Sequence, residues 1–257
     1  MDALLVSGSA VAGLLVGGAL DPVGQRLADR SRNEDELRRD ELRRDDGTED
    51  IGERPPVGST TVGLLRPGPS VVRTVAAALV TAALWGAAAD RFGPNALLAP
   101  FSVLFALLVV LSVTDLSHRL VPRRLLYPGL ALIVPLLVAA AAADRSWHSL
   151  TGSFVAGAVA FAVFFLTWWF VPKGMGFGDV RLAGTIGLAV GYLSLLHAYI
   201  AFLSAFVLGA LFGLVMMAMT GGGRRTRIPF APALALGAVI ATLWGGFLAN
   251  SLFHAAS

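Results

Sequence analysis

Residues 182–223 read LAGTIGLAVGYLSLLHAYIAFLSAFVLGALFGLVMMAMTGGG, 42 consecutive positions without a formal charge. As one straight helix this run would extend about 63 Å, at about 1.5 Å per residue. The hydrocarbon core of a bilayer is about 30 Å thick. The run must therefore fold back inside the membrane, and Gly191–His197 is the expected turn. The result is two antiparallel helices, the sixth and seventh of the chain.

Working outward, Ala233–Ser251 supplies an eighth apolar segment. On the other side lie Ala3–Leu20, Thr74–Ala89, Ala96–Thr114, Tyr127–Ala143 and Leu150–Val171. Each is close to the roughly 20 apolar residues that a spanning helix needs. No clear small-residue cleavage site follows Ala3–Leu20, so it reads as a retained helix. The expected fold class is an all-α polytopic membrane protein, a bundle of about eight transmembrane helices. Three regions follow: 1–20, the first transmembrane helix; 21–73, a charged cytoplasmic loop, partly disordered; and 74–257, a membrane domain with seven transmembrane helices. Composition agrees, with 56% hydrophobic and 14% charged residues against about 25% charged in a soluble protein. The partner surface is thus the lipid bilayer. A net charge of +3 is too weak a balance to point to nucleic acid.

Orientation follows from the basic residues. Numbering the loops by alternation puts 18 of the 20 on one side, leaving only Arg91 and Arg145 opposite. The basic side is the expected cytoplasm, which places both termini outside. Residues 21–73 carry 12 acids and 10 basic residues, with a tandem Asp-Glu-Leu-Arg-Arg pentad at 35–39 and 40–44. Glu34 with Arg38, Asp35 with Arg39 and Asp40 with Arg44 are spaced as helical i,i+4 pairs. This segment reads as a solvated helix or a disordered linker.

Outside that loop only five acids remain: Asp2, Asp90, Asp115, Asp144 and Asp179. Asp115 ends helix three and Asp179 begins helix six, both on the basic side. Ionisable groups at membrane depth are costly, which makes this pair the candidate site. After Asp115 the chain reads Leu-Ser-His-Arg-Leu-Val-Pro, and Pro122 stops the helix. Before Asp179 it reads Gly174-Met-Gly-Phe-Gly, with Gly176 and Gly178 alternating. Missing side chains there let another backbone approach the Asp179 carboxylate. The chain has no cysteine and only four dispersed histidines, so no metal site is expected.

These residues resemble the prepilin peptidases, or type IV leader peptidases, of the GxGD aspartic protease class. Asp115 with Val121-Pro122 is similar to the first family pattern, an aspartate followed by an aliphatic–Pro pair. Gly174 to Leu182 is similar to the second, Gly-x-Gly-x-Gly-Asp-x-Lys-Leu, with Arg181 in the lysine place. Ile228-Pro-Phe-Ala-Pro232, with Pro229, is similar to the third. The resemblance runs from about Arg73 to the C-terminus. It implies catalytic Asp115 and Asp179, with Gly174, Gly176, Gly178, Arg181, Pro122 and Pro229 shaping the active-site loops. It also implies a bacterial inner-membrane endopeptidase that removes the basic leader of prepilins or pseudopilins at the cytoplasmic face.

Longer members of the family carry paired Cys-x-x-Cys motifs that bind zinc, in a region linked to N-methylation of the cleaved pilin. This cysteine-free chain cannot build that site, so no cofactor is expected, neither zinc nor S-adenosylmethionine. A presenilin-like intramembrane protease is a rival reading, because Pro232-Ala-Leu234 mimics a motif of that family, although Thr114 stands where it has tyrosine. A proton-coupled transporter is another, although no inverted repeat is visible. Two close carboxylates share a proton, one acting as base and the other as acid. The helix-six N-terminus favours charge on Asp179, which leans towards Asp115 as the protonated partner and leaves the assignment open. Trp168-Trp169 reads as an interfacial anchor, and His118 as a surface or supporting residue.

Overall fold

The computed structural model describes residues 2–45, 71–118, 121–171, 175–220 and 230–254. Among them the regular elements are eight α-helices and no strands: α1 (Asp2–Asp45), α2 (Val71–Phe92), α3 (Leu98–His118), α4 (Arg123–Asp144), α5 (Trp147–Phe170), α6 (Phe177–Gly191), α7 (Leu195–Thr220) and α8 (Ala231–His254). Seven of them contain stretches long and apolar enough to cross a bilayer. The protein is a multi-pass helical membrane bundle.

The turn inside the uncharged run falls at residues 192–194, within the expected Gly191–His197 window. Ser194 Oγ accepts the His197 amide at 3.1 Å and caps α7. The turn divides the run unequally. α6 has 15 residues, about 22 Å of helix against a core of about 30 Å. The bundle therefore has seven full-length apolar helices and an eighth, α6, that is shorter.

α1 also departs from its expected end at Leu20, continuing as helix to Asp45. The first charge after the apolar run does not leave for water. Asp21 is 1% exposed. Its carboxylate accepts the Thr74 hydroxyl at 2.8 Å and lies 3.6 Å from Arg73 Nε. Paired in this way, a carboxylate need not end the helix. The tandem pentads lie within α1, whereas the remainder of the expected loop, 46–70, falls outside the described residues.

Pairing is hairpin-wise, α1 with α2, α5 with α6 and α7 with α8. Small residues make it possible, since helices in lipid associate by close backbone approach rather than by hydrophobic expulsion. A Cβ at Gly13 would meet the Thr81 carbonyl at 2.9 Å, and one at Gly187 would meet the Ala156 carbonyl at 2.8 Å. α3 is the central element. Its apolar window is 72% buried, against 11% for that of α1. Phe101, Leu104, Phe105 and Leu111 fill the interior around it.

Candidate active site

Three helix termini converge at one end of the bundle: the C-terminal turn of α3 and the N-termini of α6 and α8. Asp115 lies in the last turn of α3 and Asp179 in the first turn of α6. Both are buried, at 5% and 8% exposure. The backbone N–H of Ala231, at the start of α8, donates to Asp115 Oδ2 at 3.1 Å. Asp115 thus meets the positive end of a helix other than its own.

Asp179 is held well above the ordinary carboxylate range, at about 7. Burial is the main cause, the nearby charge of Asp115 adds to it, and a backbone hydrogen bond from Gly176 acts in the opposite sense. Burial and the neighbouring carboxylate thus favour the proton on Asp179. The lean from local sequence rested on the α6 terminus alone and did not count this burial. The amide of Ala231 is 116 residues away in the chain and reaches Asp115 only through tertiary packing.

The glycine segment before Asp179 is used unevenly. A Cβ on Gly178 would fall 2.7 Å from Val121 Cβ, so the bare backbone of α6 is where the chain leaving α3 crosses. The first and second motifs meet at this contact. Gly176 is roomier: an added Cβ would stand 3.6 Å from Asp179 Oδ2, an ordinary contact. Pro122 caps α4 with φ −68°, and its carbonyl accepts the Leu125 and Leu126 amides. It fixes Val121 from behind. Gly174 and Pro229 lie outside the described residues.

Arg181 is not brought to the dyad. Two positions along a helix amount to about 200° of rotation, which puts its side chain across α6 from Asp179. There the guanidinium stacks on Phe177 at 4.4 Å and reaches Tyr127 at 5.7 Å. Trp168 packs on Phe177 at 5.0 Å, and Trp169 is exposed.

α1 contributes residues that sequence reasoning passed over. Gly24 packs beside Val110 and Thr114, and Gln25 Oε1 lies 2.6 Å from His118 Nε2. His118 Nδ1 lies 3.9 Å from Asp29. His118 follows Asp115 by one helical turn, so this network braces the end of α3. Gln25 and Asp29 belong to the part of α1 expected as loop, and no local signal marked them.

Residues 102–214, which include both aspartates, match the type IV leader peptidase family. A Bacillus subtilis (strain 168) prepilin leader peptidase/N-methyltransferase is 36% identical over 172 residues, covering 66% of this chain and 65% of that protein. One from Pseudomonas aeruginosa is 32% identical over 170 residues, 65% of this chain and 57% of that protein. One from Xanthomonas campestris pv. campestris is 29% identical over 153 residues, 58% and 50% respectively. In these three the chain spans between half and two thirds of the relative's length. No solved structure matches it.

Proposed function

We propose, from the match of residues 102–214 to the type IV leader peptidase family, that the chain is a membrane-embedded aspartic endopeptidase of that family. Its substrates are prepilins or pseudopilins, cut between a short basic leader and an apolar helix. The supporting observation is the convergence of two buried carboxylates, Asp115 and Asp179, where the ends of α3, α6 and α8 meet.

Ionised Asp115, held by the Ala231 amide, takes a proton from water as the water oxygen attacks the scissile carbonyl carbon. Protonated Asp179 donates to the carbonyl oxygen. When the tetrahedral intermediate collapses, the C–N bond breaks, the proton taken up by Asp115 passes to the leaving amine, and a gem-diol hydroxyl returns its proton to Asp179 as the carbonyl re-forms. The pair then carries one proton again. This site lies at the cytoplasmic face of a bacterial inner membrane, with both termini outside. That orientation rests on the one-sided distribution of basic residues.

Methyl transfer, part of the relatives' printed names, is not proposed for this chain. The zinc set of longer members needs cysteine thiolates, and the sequence has none. The test of the peptidase reading is Asp115→Asn and Asp179→Asn in a membrane assay of leader cleavage. Each variant should insert normally and lose at least about a hundredfold in rate. Near-normal processing by either one removes that residue from the mechanism.

A further inference from the structure

The face of α6 turned away from Asp179 borders an apolar slot of about 460 Å³ between α4, α5 and α6. That volume lies within the range of built ligand sites, about 300–1,000 Å³. Gly157 and Gly184 line it where α5 and α6 pack closely: a Cβ on Gly184 would meet Phe161 at 3.2 Å. Leu130, Phe154 and Phe161 also line it. Phe154 and Phe161 are 48% and 40% exposed, so the slot opens sideways to the surroundings of the bundle. On a membrane helix those surroundings are lipid.

Along α6 the slot runs from Phe177 to Leu188, about 16 Å of helix. One leaflet of a hydrocarbon core of about 30 Å is about 15 Å deep. The slot is therefore as deep as one acyl layer, and it begins at the dyad end of the bundle. That end is cationic. Arg181 lines it, and the Arg123 guanidinium lies near enough to Arg181 to repel it. Among the described residues neither arginine forms an ion pair with a carboxylate. Two like charges that act on one another at one mouth favour an anion there. Tyr127, beside Arg181, adds a hydroxyl at the same mouth.

We infer that this slot is a binding site for one anionic glycerophospholipid, with an acyl chain between α4, α5 and α6 and its phosphate against Arg181 and Arg123. The occupant lies across α6 from the dyad and is not a substrate of it. Filling the slot supports a helix too short to span the bilayer alone, and so holds the N-terminal turn that carries Asp179.

The test uses the full-length chain in neutral detergent, titrated with phosphatidylglycerol and followed by native mass spectrometry and thermal melting. One phosphatidylglycerol should bind saturably and raise Tm, while phosphatidylcholine should not compete. Arg181→Gln and Arg123→Gln should each weaken binding about fivefold. Ala158→Trp, which fills the slot without touching the guanidiniums, should abolish it. Glycerol phosphate, a headgroup without chains, should neither bind nor compete, which separates a lipid from a free phosphate. Equal retention of phosphatidylcholine, wild-type affinity in the double arginine variant, or tight binding of glycerol phosphate alone would each overturn the proposal. So would an Ala158→Trp protein that keeps its lipid yet shows a raised KM for a prepilin, which would make the slot a polypeptide groove. Asp179→Asn should bind phosphatidylglycerol like the wild type, so the lipid site and the peptidase reading can fail separately.

Discussion

Gly178→Ala is the smallest change that tests how the two aspartate-bearing segments are joined. The new Cβ would lie 2.7 Å from Val121 Cβ, 3.3 Å from its Cγ2 and 3.5 Å from its carbonyl oxygen. Carbon atoms rest at about 3.5–4.0 Å, so Val121 or the start of α6 must retreat by about 1 Å. Alanine in place of glycine favours the helix by about 1 kcal/mol, and overpacking costs about 1–3 kcal/mol. Net destabilisation is thus between about 0 and 2 kcal/mol, a modest fall in Tm. Activity should suffer more, because a shift of about 1 Å between catalytic groups costs about a hundredfold in rate. Second-site changes identify the cause. Val121→Ala removes only Cγ atoms and leaves the 2.7 Å clash, whereas Val121→Gly removes it. Cleavage of a reporter prepilin in isolated membranes, read as a double-mutant cycle, should show coupling with glycine at 121 and little with alanine. Full activity of Gly178→Ala, or equal rescue by both second-site changes, would refute the reasoning.

The pH dependence has a definite sign. Asp179 has a folded pKa of about 7 against an ordinary 3.8, so the folded state binds its proton across that window and the unfolded state does not. Its stabilising contribution is full below about pH 4, is lost progressively towards pH 7 and is flat above. Thermal melts should show this slope, and Asp179→Asn should remove it. Cleavage should decline above about pH 7, as the acid form of Asp179 is lost. Strong chelators should leave cleavage intact, because the two carboxylates suffice for the chemistry; EDTA inhibition reversed by zinc would contradict this. Deleting residues 32–50 should preserve cleavage, since the described α1 contacts with the bundle, from Val6 to Asp29, precede that segment. Mass spectrometry of pilin processed by the intact chain should find no added methyl group.

Much of this arrangement was legible because membranes make sequence patterns literal. A 42-residue run without charge has to turn, and it turns at 192–194. Asp115 and Asp179 stand out because so few acids survive outside the first 73 residues, and both end up buried at one end of the bundle. Less legible were features that depend on what a residue meets. Asp21 looked like the start of a loop until Thr74 and Arg73 gave it partners inside the α1–α2 hairpin. The length of α6 could not be read from hydropathy, which is uniform across the turn. Ala231 has no side-chain chemistry to notice; its contribution is an amide that only packing delivers to Asp115.

Arg181 shows why spacing matters as much as residue type. A guanidinium two positions from Asp179 is a ready counter-charge, and on the same face of α6 it would pair with the carboxylate and favour its ionised form. Both aspartates would then be charged at neutral pH, and the dyad would have no proton to donate. The helix instead rotates Arg181 by about 200° onto Phe177 and Tyr127, and the influences on Asp179 are burial, Asp115 and the backbone of Gly176. The same rotation gives the bundle a cation at the mouth of the apolar slot. One turn of helix thereby separates two environments, a buried acid that needs no counter-ion on one face and a half-buried base that can take one on the other. A one-residue insertion between Asp179 and Arg181 would rotate the arginine a further 100° or so and disturb both at once.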